Sequence, residues 1–136
     1  MALKISSGIR HDMGVAFIAD VNNAATIKIY DGVRPATGGG ALSGNNLLST
    51  LVCGSPFGTD TSGVITLGAV SNDTNAAHTG SASWFRINTA VAAWVMDGSV
   101  TATGGGGDLT LTSIAIVAGA TVSLSGTNTI TLGNAP

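Results

Sequence analysis

A chain of 136 residues with only 9% charged side chains and a formal net charge of −2 has room for one domain, and it offers no electrostatic footprint for nucleic acid or an anionic membrane. Glu and Gln are absent, all seven acidic residues are Asp, and Gly (20), Thr (17) and Ser (13) are abundant. That balance starves long helices, favours strands with Gly-rich turns, and is too apolar for a disordered chain.

Residues 1–22 differ from the rest. Ile5, Ile9, Met13 and Phe17 recur every four residues, a helical spacing, and Ser6 or Ser7 can cap the start while Asn22-Asn23 suit the end. Gly8 and Gly14 oppose a helix, so the segment is expected to be a short helix or an ordered arm. It carries no apolar run of the kind a signal peptide needs, and no stretch of the chain approaches the ~20 apolar residues of a membrane-spanning helix.

From residue 25 the period falls to two. Ile27 and Ile29 alternate with Thr26, Lys28 and Tyr30, and Asp31-Gly32 closes that strand. Residues 33–45 read as a loop punctuated by Pro35, Gly38-Gly39-Gly40 and Ser43-Gly44-Asn45. Strands are expected over 46–52, 64–67 and 81–87, the last holding Trp84 and Phe85 on opposite faces. One of that pair belongs to the core. The other needs a cover from a second sheet, the N-terminal segment or a partner chain. Asp97-Gly98 reads as a hairpin turn between strands over 92–96 and 99–101. Over 108–112, 121–124 and 129–132, aliphatic residues alternate with hydroxyl residues, and Gly119 and Gly126 mark turns between them. Leu109, Leu111, Val122, Leu124, Ile130 and Leu132 are expected on one core face. The fold class is therefore all-β, a β-sandwich or small jelly roll over 23–136 with a short N-terminal helix or arm over 1–22.

Candidate chemistry is thin. The single Cys53 leaves no internal disulfide and no Cys-based zinc site, and it fits a chain made in a reducing cytoplasm. His11, Asp12 and His78 lack the spacing of a metal site, and no Gly-x-Ser-x-Gly elbow precedes a helix. Asp31, Asp97 and Asp108 sit beside Gly, where Asp has a turn role rather than that of a paired catalytic carboxylate. Gly104 to Gly107 has neither the following helix nor the Lys of a phosphate cradle. Asp60-x-Ser62 and Asn72-Asp73-x-Asn75 cluster oxygen ligands without the spacing of a calcium loop. No enzymatic activity, metal or cofactor is expected. The few aromatics, lacking a basic patch, leave a carbohydrate platform as the rival use of an exposed ring.

Several segments in order resemble a group of small bacteriophage virion proteins: 26–32 (TIKIYDG) with Arg34-Pro35-Ala36, then Leu47-Leu48 and Thr50-Leu51, then 79–87 (TGSASWFRI), 95–100 (VMDGSV), 107–111 (GDLTL) and 116–122 (IVAGATV). The N-terminal segment departs from that group, which more often carries a longer charged helix there. The resemblance implies a structural role in the virion, assembled in the host cytoplasm, with no catalytic residues to carry over. Within such a role a small all-β chain is expected to be a capsid cement or decoration protein, bound to the major capsid protein and to other copies of itself. The alternative is a tail, collar or fibre-associated receptor-binding module that touches a glycan. A chain so poor in charge is expected to cover surface against a partner, and Leu3, Ile5, Ile9, Met13 and Phe17 are the candidate interface, unless the segment is a lid on its own fold.

Overall fold

The computed structural model describes residues 3–21 and 24–133. One helix, α1 (Ser7–Val21), precedes eleven strands: β1 (Thr26–Tyr30), β2 (Leu47–Cys53), β3 (Gly58–Thr61), β4 (Val64–Leu67), β5 (Val70–Ser71), β6 (Gly80–Ser81), β7 (Trp84–Asn88), β8 (Trp94–Ala102), β9 (Leu109–Leu111), β10 (Ala115–Ile116) and β11 (Thr129–Thr131). Six of them form a curled sheet in the order β5-β2-β1-β7-β8-β9, antiparallel except for the parallel pair β8–β9. A three-stranded sheet β11-β4-β3 and a small β10-β6 pair complete the chain. The architecture is mostly sheet with one short helix.

The core lies on one face of the large sheet. Ile27 and Ile29 of β1 stand opposite Ile87 and Phe85 of β7, and Ile27 also faces Leu51 of β2. Phe57, Ile65, Leu109, Leu111 and Val122 belong to the same buried cluster, against which Leu124, Ile130 and Leu132 pack. The aliphatic positions of the C-terminal third thus share one core. They do not form three strands, however. Thr121–Leu124 makes only single bridges, Val122 to Asp73 and Leu124 to Leu111. Its hydroxyl neighbours are tied inward: Thr112 N–H donates to Ser123 O, and Ser125 O accepts from Thr110 Oγ1 at 2.7 Å.

Asp97-Gly98 is not a turn. β8 runs straight through it, with Asp97 opposite Arg86 and Gly98 opposite Phe85. Glycine is there because a Cβ at 98 would enter the Phe85 ring. The true hairpin turn nearby in type is Ser62-Gly63 between β3 and β4, where both residues have positive φ, 53° and 83°, as a two-residue primed turn requires. β3 escapes a hydrophobic-periodicity reading because Gly-Thr-Asp-Thr has no apolar alternation.

The helix begins where Ser6 Oγ accepts the Ile9 N–H at 3.4 Å. The expected Asn22-Asn23 terminus lies outside the described residues. Its inner face holds Arg10, Gly14, Phe17, Ile18 and Val21, spaced i, i+4, i+7, i+8, i+11. Gly14 rests directly on the Asp60 side chain, so a Cβ there would collide with the carboxylate. Gly8 faces open space. The two helix glycines therefore respond oppositely to substitution. Gly8→Ala should stabilise the fold by up to about 1 kcal/mol. Gly14→Ala should destabilise it, since overpacking of about 1–3 kcal/mol exceeds the propensity gain. Urea unfolding of the two variants checks this, and equal gains would mean that α1 does not sit on β3.

Candidate functional site

Two surfaces combine exposure with a built support. The first is α1. Its inner face docks on the three-stranded sheet: Phe17 packs on Phe57 with ring centroids 6.0 Å apart, and buried Arg10 donates from Nε to Leu132 O at 3.0 Å. His11 Nδ1 meets Asp60 Oδ2 at 2.6 Å, while Asp60 Oδ1 accepts the Gly63 N–H across the turn. The helix is thus a lid on its own fold. Its outer face mixes apolar side chains with exposed Asp12 and Asp20. Ile9, Met13 and Ala16 form an exposed stripe, Val15 and Ala19 stand beside it, and Leu3 precedes it, 74% exposed. Of the five expected interface residues, Leu3, Ile9 and Met13 point outward. Ile5 and Phe17 are half-buried instead: Ile5 lies against Gly133, and Phe17 lies against Phe57. A step of four residues overshoots one helical turn by about 40°, so the four-residue spacing walks around the helix instead of marking one face.

The second surface is the other face of the large sheet. Tyr30 and Trp84 stack there, centroids 4.5 Å apart, with Arg86 5.4 Å above the Trp84 ring. The cover over Trp84 is the loop of residues 31–46, not a second sheet, the N-terminal segment or a partner. Its ends are pinned together where Asp31 accepts from Asn46 N–H at 2.6 Å and from Asn46 Nδ2 at 2.9 Å. It is a compact Ω-type loop. Trp84 Nε1 donates to Asp31 O, and the Arg86 guanidinium donates to Gly40 O with both terminal nitrogens. Asp97 is the hub beneath. Its Oδ1 accepts from Arg86 Nε at 2.7 Å and from Trp94 Nε1 at 3.1 Å, and its Oδ2 accepts from Arg86 Nη2 at 2.8 Å and from Gly39 N–H at 3.1 Å.

Trp94 belongs to this side because Val95 is the extra residue of a β-bulge: Ile87 pairs with Met96, but Asn88 pairs with Trp94. Its indole lies on the Gly38-Gly39 backbone, closely enough that a Cβ at Gly38 would stand 2.6 Å from Cζ2. Beside it opens a groove of about 580 Å³ lined by Val33, Arg34, Pro35 and Met96 among others.

The remaining candidates separate. His11 sits with Asp60, whereas His78 Nδ1 lies 2.9 Å from Leu47 O, far from it in the fold. Asp73 is spent on Ser49 Oγ, Thr50 N–H and Asn75 N–H. Among the described residues no group of three or more His, Cys, Asp or Glu side chains is placed to hold a metal ion. Asp108 accepts from Ser99 N–H and Oγ, which locks the start of β9 to β8 rather than making a turn. Burial pushes the Cys53 thiol up to about 11.

Four carboxyls are held below their ordinary range. Burial raises Asp97, but donation from Arg86, Gly39 and Trp94 outweighs it. Burial likewise raises Asp73, and the donors Asn75, Ser49 and Thr50 outweigh it. Asp31 is lowered chiefly by the Asn46 side chain, and Asp108 chiefly by the Ser99 N–H. The unfolded chain therefore binds more protons near the carboxylate range than the folded one. This stabilisation is present above the unfolded value of about 3.9 and is lost as pH falls through the lower folded values. Stability against urea should be flat from neutral pH to about 5 and fall steeply below about 4. A profile that stays flat down to pH 2 would show that these carboxyls are not paired in solution.

Comparisons with protein-family models, with curated proteins and with solved structures found no match to this chain.

Proposed function

We propose that the chain is a structural protein of a bacteriophage virion, most specifically a cement or decoration protein that binds the outside of the head lattice and stabilises it. The observation that carries this reading is the outer face of α1. The inner half of α1 is seated on the chain's own sheet, while Ile9, Met13 and Val15, with Leu3 ahead of them, remain exposed beside Asp12 and Asp20, an apolar load that an exposed helix face of a chain this poor in charge carries for a partner. The resemblance of the ordered segments from residue 26 onward supports the virion setting, and the scarcity of charge suits a surface meant for burial. The mechanism is binding alone. Each copy sets the α1 stripe and neighbouring hydroxyl-rich surface against capsid subunits. A modest contact becomes durable when the lattice engages several copies and several subunits at once.

The test uses the full chain and shells assembled without it. The wild-type chain should co-sediment with shells at a copy number that scales with the lattice. The double variant Ile9→Glu and Met13→Glu should remain folded, since both side chains are exposed, and should no longer bind. A copy number of a few per particle would place the chain at the tail, collar or fibre instead. Undiminished binding by the double variant would remove α1 from the interface.

A further inference from the structure

The groove beside Trp94 has features that a capsid contact through α1 does not use. The indole is 48% exposed, yet it is fixed. Its back lies on Gly38-Gly39, its N–H is tied to Asp97, and Asp97 is itself clamped by the largely covered Arg86. The result is one flat aromatic face held still, with its ordering cost already met by the fold. A bulge at Val95 aims the ring there, a device common beside binding sites.

The groove's volume of about 580 Å³ matches a small-molecule or single-ring site. Its charges select among ligands. All four acceptor directions of Asp97 are filled from within, so it neither recognises a hydroxyl nor stands as an open negative charge. Arg34 is the one cation lining the groove; it is exposed, hydrogen-bonds to no described residue, and lies within electrostatic reach of the Asp108 carboxylate, whose acceptors are already taken by Ser99. A single aromatic face with a single cation is too little for a nucleic-acid strand, which needs cations along its phosphates. It also lacks the several aromatic ridges of a polyproline groove. It suits one ring with an apolar face and one anionic substituent.

We propose that this groove binds an acidic sugar residue of a glycan, the apolar face of the pyranose stacked on Trp94 and its carboxylate on Arg34. The site is independent of whether the chain sits on a head or a tail.

The experiment titrates the full chain with oligogalacturonate as the acidic probe and maltohexaose as the neutral one, followed by tryptophan fluorescence, and repeats the comparison on an array of acidic bacterial glycans. Trp84 is buried, so the response reports Trp94. Saturable binding of acidic glycans is expected. Trp94→Ala should weaken it about tenfold or more. Arg34→Ala, at an exposed position, should keep the fold and remove the preference for acidic over neutral sugars. Trp94→Phe, which keeps a ring but loses the Asp97 bond, should fall between. No saturable binding to any acidic glycan, binding that survives Trp94→Ala, or capture of a polyproline peptide instead would each overturn the proposal. Shell binding by Trp94→Ala should be unchanged, which separates failure of this site from failure of the α1 interface.

Discussion

Arg86→Ala should destabilise the chain by about 3 kcal/mol, because it strands the buried Asp97 carboxylate and takes both donors from the part-buried Gly40 carbonyl. The Arg86 and Asp97 side chains are 11% and 4% exposed. Removing the guanidinium leaves Asp97 with only the Gly39 and Trp94 donors and leaves Gly40 O without its partner. The damage should concentrate in the 31–46 loop, which loses its central clamp, so amide exchange there should accelerate more than in β1 or β2. Arg86→Lys keeps the charge but not the fork that spans Gly40 and Asp97, and it should recover only part of the loss. The double variant Arg86→Met with Asp97→Leu removes both charges and should be much less destabilised than Arg86→Ala. If Arg86→Ala melts like the wild type, the loop is not held by this pair, and the support for Trp94 goes with it.

Leu111→Ala should cost about 2–5 kcal/mol, the range for a buried leucine whose site does not collapse. Leu111 is fully buried in β9, with its strand fixed on one side to β8 and bridged on the other to Leu124. Its neighbour Thr110 points the other way and donates to Ser125 O, so Thr110→Ala should cost about 1 kcal/mol, the value of one hydrogen bond. Urea unfolding of both variants gives the comparison. Equal losses would mean that the threonine face is as deeply packed as the leucine face.

How far the fold was legible depends on what each element uses as its signal. β1 and β11 carry their apolar residues at period two, while β2 and β4 are short apolar runs bounded by turn residues, and those signals predicted all four nearly to their ends. β8 was misread because Asp97-Gly98 has the composition of a hairpin while serving cross-strand needs: an ion pair to Arg86 and room for Phe85. That purpose appears only when β7 is beside it. Residues 121–124 alternate as cleanly as any strand, yet they find only isolated bridges, since alternation specifies a face and not a partner. The cover of Trp84 had a usable clue, two adjacent large aromatics on one strand, but nothing local assigned the task to a glycine-rich loop. At the candidate sites, the apolar excess of α1 was visible in composition, while the inward turn of Ile5 and Phe17 was not. Buried Arg10 was missed altogether, because its partner is a backbone oxygen. Trp94 was equally hidden, since a one-residue bulge at Val95 reverses its face and leaves no mark in the pattern.

The bond from Arg10 Nε to Leu132 O joins residues separated by 122 positions. The helix that carries the outer stripe is therefore anchored in part by a segment synthesised well after it. β1, near the start, must also wait for β7 before its second edge is filled. Contacts of such separation make folding slow and late, on a scale of milliseconds to seconds rather than during early synthesis. A chain that lacks β11 and Leu132 would keep the Phe57 and Asp60 seat of the helix but lose the acceptor of the buried Arg10. The same arrangement makes the setting of the helix a report on whether residues 129–132 are in place.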